Sequence, residues 1–253
     1  MFALFDLVSS FYQNTAHKDT VPLTAFCTPT DLYDWLVIPQ GSSASPGWFV
    51  KVINEVIKGL GQVAAYLDDV IVFDSDPTAH VENMRALFER LRKHNLKLSP
   101  SKARLGATDA DFVGNSISPD GVRPDADKIS ALTKMPMPRD LKQVSALLGG
   151  VGYYRKFLRD LSKRVRPITS PLRNGVKFVF TPAMEVIVRE SLAELAAPYI
   201  LVFPDWDAVA DGSRPFHVYC DACIDRFGVA LGTGATGRVC AAHRLHQRRY
   251  PRF

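Results

Sequence analysis

Two adjacent acids, Asp68 and Asp69, sit inside an apolar run that extends from Val63 to Phe73. Such a run reads as a buried hairpin with both acids in its turn. Two unit charges about 4 Å apart repel by roughly 4 kcal/mol at an effective dielectric of about 20, so the pair calls for a compensating cation. A second apolar segment, Phe2 to Val8, reads as a core strand and carries a third acid, Asp6. If that strand lies beside the hairpin, three carboxylates converge. Hard oxygen ligands of this kind suit Mg²⁺ held together with substrate phosphates, the arrangement of two-metal phosphoryl transfer. The plainer reading is that Asp-Asp is an ordinary turn choice and Asp6 ends a strand. Spacing alone does not choose between them.

Around these acids the pattern alternates strands with helices. A stretch containing Pro, Gly and Ser, Pro39 to Pro46, precedes a helix over Trp48 to Leu60, with apolar residues at 49, 52, 53, 56, 57 and 60. Asp76-Pro77 marks the start of another, running to Asn95. Ser118-Pro-Asp-Gly121 is the turn of a small hairpin within Phe112 to Val122. Helices follow over Asp125 to Lys134 and Asp140 to Leu161, the second opened by a capping box of Asp140 and Gln143. Thr181-Pro182 begins a third that stops before Pro198. Asp205 to Pro215 reads as a linker, and Phe216 to Leu231 as strand, turn and strand. The fold class expected is therefore α+β.

Charge sharpens the functional reading. The chain of 253 residues carries a formal +5. Arg155 to Arg166 holds six basic residues and one acid, and Arg238 to Phe253 five arginines and no acid, so the remainder is net negative. Arg155, Arg159 and Arg166 are spaced by about whole helical turns and can share a face that neutralises successive nucleic-acid phosphates. A solvated charged face is the bland alternative. No apolar run reaches the roughly 18 residues needed to cross a bilayer, and no secretory signal is recognisable, so an intracellular chain without a membrane partner is expected. The four cysteines suit a reducing compartment. Cys220-x-x-Cys223 with Cys240-x-x-His243 has the ligand types of a zinc site; alternatively Cys220 is a small core filler on a strand.

The sequence around the acids resembles the reverse transcriptases of gypsy-type LTR retrotransposons, nearly end to end. Phe5-Asp-Leu-Val-Ser-Ser-Phe-Tyr-Gln13 is similar to the first catalytic motif, Thr24-Ala-Phe-Cys-Thr-Pro29 to the following strand, and Pro39-Gln-Gly41 to the nucleotide-side loop. Tyr66-Leu-Asp-Asp69 is the most specific match, and His80, Leu91, Leu96 and Lys102 follow at family-like intervals. The resemblance implies that Asp6, Asp68 and Asp69 are catalytic and hold two Mg²⁺ ions, with Mn²⁺ as a possible substitute. Phe11 stands where the family keeps an aromatic gate against the ribose 2′-hydroxyl, and Gln40 would line the nucleotide pocket; a core aromatic and a loop amide are the plainer readings. Tyr66, Gly114 of the primer-grip hairpin, and Arg155, Lys156, Arg159 and Arg166 of the thumb would contact an RNA or DNA template-primer duplex, with a dNTP as substrate. Pro215 to Ala222 resembles the first strand of an RNase H domain, with Asp221 its first metal-binding acid.

The implied layout is a palm with incomplete fingers over 1–115, primer grip and helical thumb over 116–204, and a linker with a truncated RNase H-like part over 205–253. Family members carry a fingers region before the first motif, and further RNase H acids after residue 253. A piece truncated at both ends is therefore expected, without RNase H activity and inactive in isolation. Leu23 stands where relatives often have a basic residue, and Ser42 to Trp48 departs from the usual loop. Two hypotheses follow: a nucleotidyltransferase fragment, or a catalytically dead remnant that at most binds nucleic acid.

Overall fold

The computed structural model describes residues 1–158, 160–169, 179–197, 201–223 and 226–233, with the backbone alone for the strand residues from 219 onward. The chain divides into two units, Met1–Val113 and Gly114–Phe253.

In the first unit a sheet is built on β1 (Phe2–Asp6), β4 (Val63–Tyr66), β5 (Asp69–Phe73) and β6 (Arg104–Ala107), antiparallel in the order β4-β5-β1-β6. Two-residue strands β2 (Phe26–Cys27) and β3 (Leu32–Tyr33) form a separate ribbon, and β7 (Ala110–Phe112) closes the unit. Side chains alternate across a strand, so Ala3, Phe5, Val70 and Val72 turn to one face and bury there. Against them pack Phe49, Ile53 and Val56 of α1 (Ser45–Ile57) and Leu87 and Leu91 of α2 (Pro77–Lys93). Asp6 and Asp69 have the opposite parity and share the other face with Leu4 and Ile71.

Helix α1 begins at Ser45, three residues before the expected start at Trp48. Pro46 occupies the first turn, where its missing N–H is harmless, and the Ser45 hydroxyl donates to Pro39 O at 2.7 Å. It ends at Ile57, ahead of Gly59 at φ +77°, so Leu60 lies outside it. Helix α2 starts where expected: Asp76 Oδ2 accepts from the Ala79 N–H at 2.8 Å. His80 is buried on this helix, its Nδ1 2.8 Å from an Asp74 carboxylate oxygen whose partner oxygen accepts from Asn83 at 2.6 Å.

The second unit opens with a hairpin of β8 (Asn115–Ser118) and β9 (Gly121–Pro124), closed by Pro119-Asp120 as its sequence requires. Helices α3 (Ala126–Thr133), α4 (Leu141–Tyr153), α5 (Leu161–Arg164), α6 (Arg166–Thr169), α7 (Pro182–Ala196) and α8 (Trp206–Ala210) follow, then the paired strands β10 (Phe216–Cys223) and β11 (Arg226–Thr233). Ile129, Val144, Leu147, Val151, Ile168, Val188, Leu192 and Leu195 form the core of this unit.

Three expectations change here. The helix drawn from Asp140 to Leu161 stops at Tyr153; a tight turn over Arg155–Phe157 follows, and Asp160 takes φ +50° before α5. Tyr154, Phe157, Leu158 and Leu161 are all buried, so the apolar spacing reported burial correctly while the backbone changed direction beneath it. Glycines 149, 150 and 152 weaken that last turn by about 1 kcal/mol each relative to alanine. Gln143 completes its cap one residue further back than a standard box: Asp140 accepts from Gln143 N–H at 2.8 Å, while Gln143 Oε1 accepts from Arg139 N–H at 2.9 Å. Finally, the stretch read as a linker contains α8, started by Asp205, which accepts from Ala208 N–H at 3.2 Å.

Candidate active site

Asp6 ends β1 and Asp69 begins β5, and the antiparallel register sets them directly opposite one another. Asp69 is therefore a strand residue, a correction to its expected place in the turn. The turn is Leu67-Asp68, closed by the pairing of Tyr66 with Asp69. Leu67 adopts φ +54°, a conformation that costs a non-glycine residue roughly 1 kcal/mol, as strained functional turns often do. The Leu7 N–H donates to Asp68 O at 2.9 Å and fastens this turn to the continuation of β1. Asp6 and Asp69 thus sit at one end of two paired strands, on the face away from α1 and α2, with Asp68 in the adjoining turn.

Their charges act on one another. The Asp69 carboxyl is held above the ordinary range, by burial first and then by the Asp68 and Asp6 charges, with Lys102 pulling the other way. Lys102 Nζ stands 3.0 Å from Asp6 Oδ2. That contact, and the Asp6 charge behind it, lifts the lysine above its usual value. Among the described residues no three His, Cys, Asp or Glu side chains are gathered into a ready-made metal group; Asp6 is turned onto the lysine instead. The donors still fit a hard divalent ion: the carboxylates come from adjacent backbone positions, share excess negative charge and, on top of its burial, raise the Asp69 pKa by their mutual repulsion.

Beside the acids lies a small pocket lined by Ser9, Ser10, Phe11, Tyr12, Gln40 and Asp68. It joins both residues expected at the nucleotide to one of the expected metal ligands. Phe11 sits in a tight turn over Ser10–Gln13 and leans on Phe49, ring centroids 5.5 Å apart. Gln40 is exposed next to Gly41, whose φ of +99° turns the loop.

The model of the family described as "Reverse transcriptase (RNA-dependent DNA polymerase)" matches residues 1–117. The Pol polyprotein of the Drosophila melanogaster transposon opus is 30% identical over 250 residues, which cover 94% of this chain. The chain is similar to the reverse transcriptase region of retrotransposon Pol polyproteins. Transposon 297 of the same fly is 32% identical over 81% of the chain, and the Tf2-3 polyprotein of Schizosaccharomyces pombe 26% identical over 79%. The chain spans 24%, 20% and 15% of the length of those three relatives. Its fold matches that of the foamy viral protease-reverse transcriptase in complex with dsDNA and with an RNA/DNA hybrid. The TM-scores are 0.78, at 20% identity over 99% of this chain and 43% and 33% of those chains. Reverse transcriptases as a family use divalent metal ions.

The remaining expected contact residues are placed as follows. Tyr66 is exposed, across the ladder from Asp69. Gly114 takes φ +65°, and its carbonyl accepts the Tyr154 hydroxyl at 3.0 Å. A Cβ at Gly114 would stand 3.2 Å from that hydroxyl and press on Tyr154, in a backbone conformation that already favours glycine. Arg155 and Lys156 occupy the tight turn after α4, and Arg166 opens α6. All three are exposed, but the break after Tyr153 means that they do not lie on one helix face. Lys156 Nζ lies 5.0 Å from the Phe157 ring centroid, and desolvation lowers its pKa. Arg159, Cys240 and His243 lie outside the described residues, as do the side chains of Cys220, Asp221 and Cys223; the Asp221 backbone pairs with Gly228.

Sequence reasoning gave no role to two residues that shape the site. Lys102 is 96 positions from Asp6, and nothing local announces their pairing. Gln13 stitches the Phe11 turn to the strand-like segment at residue 97: Oε1 accepts from Lys97 N–H at 2.6 Å, and Nε2 donates to Lys97 O at 3.1 Å and to Val8 O. A glutamine that serves both edges of a backbone peptide looks, in sequence, like any surface amide.

Proposed function

We propose that this chain carries the nucleotidyl-transfer centre of an RNA-directed DNA polymerase of gypsy type. The supporting observation is the register that sets Asp6 opposite Asp69 with Asp68 in the joining turn. The reaction joins a primer 3′-hydroxyl oxygen to the α-phosphorus of a dNTP and breaks the α–β phosphoanhydride, releasing pyrophosphate. Asp6, Asp68 and Asp69 would hold two Mg²⁺ ions, or Mn²⁺ in their place. Such ions would supply activation of the hydroxyl and stabilisation of charge on the displaced phosphate.

The protein's own share is position. Phe11, braced by Phe49, limits the space beside the sugar, and Gln40 supplies an amide to the same pocket. Tyr66 is exposed for contact with the duplex, and Gly114 shapes the hairpin beside Tyr153 and Tyr154. Arg155, Lys156 and Arg166, with Arg159, would neutralise template-primer phosphates without reading bases. Asp221 would contribute a metal-binding acid to an RNase H-like strand pair. The foamy viral enzymes of like fold are in complex with dsDNA and RNA/DNA hybrid, which supports a template-primer duplex as partner.

Primer extension on an RNA template in Mg²⁺, comparing the chain with Asp68→Asn, tests this. Whatever incorporation the unchanged chain supports should fall by about two orders of magnitude or more in the variant, because charge stabilisation in the transition state is lost. Equal and negligible incorporation by both ends the polymerase reading and leaves at most nucleic-acid binding. Phe11→Ala should raise ribonucleotide use relative to deoxyribonucleotide use by roughly tenfold or more, the scale set by one missing steric contact in a shaped pocket. An unchanged ratio of kcat/KM values would make Phe11 a core aromatic only.

A further inference from the structure

Three carboxylates at one strand end need a cation, and the fold provides one without any ion. The tight turn Pro100–Lys102 is tied to the metal-site strand at its backbone: Ser99 N–H donates to Asp6 O at 2.8 Å, and Lys102 N–H to Ser99 O at 3.3 Å. The residue whose main chain anchors this turn is thus the one whose carboxylate receives the Lys102 ammonium, 3.0 Å away.

The contact is built to be lost. The Lys102 side chain is 64% exposed and offers a single positive charge on a flexible stem to one oxygen, whereas a divalent ion gathers several oxygens at once. An exposed ion pair is weak against such a competitor.

We propose that Lys102 is the resident counter-cation of the carboxylate cluster: it holds Asp6 in the metal-free chain and yields it when a divalent ion binds. Lys102 therefore stabilises the metal-free fold and weakens metal affinity. This rests on Asp6, Asp68 and Asp69 being the metal site, which the experiment tests separately.

Mn²⁺ binding by electron paramagnetic resonance and thermal melts in EDTA or saturating Mg²⁺ are measured on the full chain, Lys102→Met, Lys102→Arg and Asp69→Asn. Lys102→Met should bind Mn²⁺ roughly two- to five-fold more tightly, the scale of one exposed charge pair. It should also melt lower than the unchanged chain in EDTA, with the gap closing in Mg²⁺. Lys102→Arg, which keeps the charge, should stay near the unchanged chain in both readouts.

Unchanged affinity in Lys102→Met, or an equal melting deficit in EDTA and Mg²⁺, overturns the counter-cation role. Asp69→Asn should lose Mn²⁺ binding. If it binds as the unchanged chain does, the acids are not the metal site and the role of Lys102 falls with them. If Asp69→Asn loses binding while Lys102→Met gains none, Lys102 alone is refuted.

Discussion

Asp69→Asn is expected to abolish primer extension and, in chelator, to melt higher than the unchanged chain. The two effects have one cause. In the unfolded chain the Asp69 carboxyl titrates in the ordinary range, but in the folded chain its pKa is raised by burial and by the charges of Asp68 and Asp6. Between those two values the native state holds more protons than the unfolded state, so stability falls as pH climbs through that window. Below the ordinary carboxylate range both states are protonated and no penalty exists; above the raised value the whole penalty is present. Asparagine is neutral throughout. Asp69 is largely solvent-exposed, so screening reduces the gain, and a rise of about 1–3 °C at neutral pH is the expected scale. The difference should shrink as pH is lowered towards about 4. Melts by circular dichroism in EDTA across this range provide the check. A variant that melts lower at neutral pH would show that Asp69 is a net structural asset and not a strained ligand.

The same residues explain what could be read from the sequence and what could not. Asp76, Asp140 and Thr181 announced their helices because a cap is local: the side chain and the N–H that it serves are three residues apart. The β4–β5 hairpin was legible because apolar strands flanked two acids. Which of those acids would sit in the turn was not, since that depends on Leu67 accepting a left-handed conformation that leucine disfavours. The meeting of Asp6 with Asp69 was conditional on strand pairing across the intervening chain; periodicity cannot supply that pairing, whereas resemblance to a family can. The break at Tyr153 is invisible to periodicity for the reverse reason. Apolar spacing reports which residues are buried, and those residues remain buried through the turn after α4.

Phe49→Ala should be the most destabilising single change at the site, with consequences for substrate choice. Phe49 is fully buried at 0% exposure, in the layer where α1 meets β1 and β5. Removing a buried ring of this size costs about 3–5 kcal/mol, a large part of the roughly 5–15 kcal/mol that holds a typical domain together. A fall in melting temperature of about 6–20 °C follows. The site feels it because Phe11 rests on this ring, at 5.5 Å between centroids and 57° between planes, while Gln13 pins only the end of its turn. With the floor gone, Phe11 can sink into the vacated space and open the pocket that it shares with Gln40 and Asp68. Assayed at a temperature where the variant remains folded, discrimination against ribonucleotides should therefore relax in Phe49→Ala much as in Phe11→Ala, and the double variant should add little to either. Phe49→Leu, which refills most of the volume, should restore both stability and discrimination in large part. Loss of stability without any change in sugar discrimination would place the aromatic pair wholly in the core and leave the pocket without a gate.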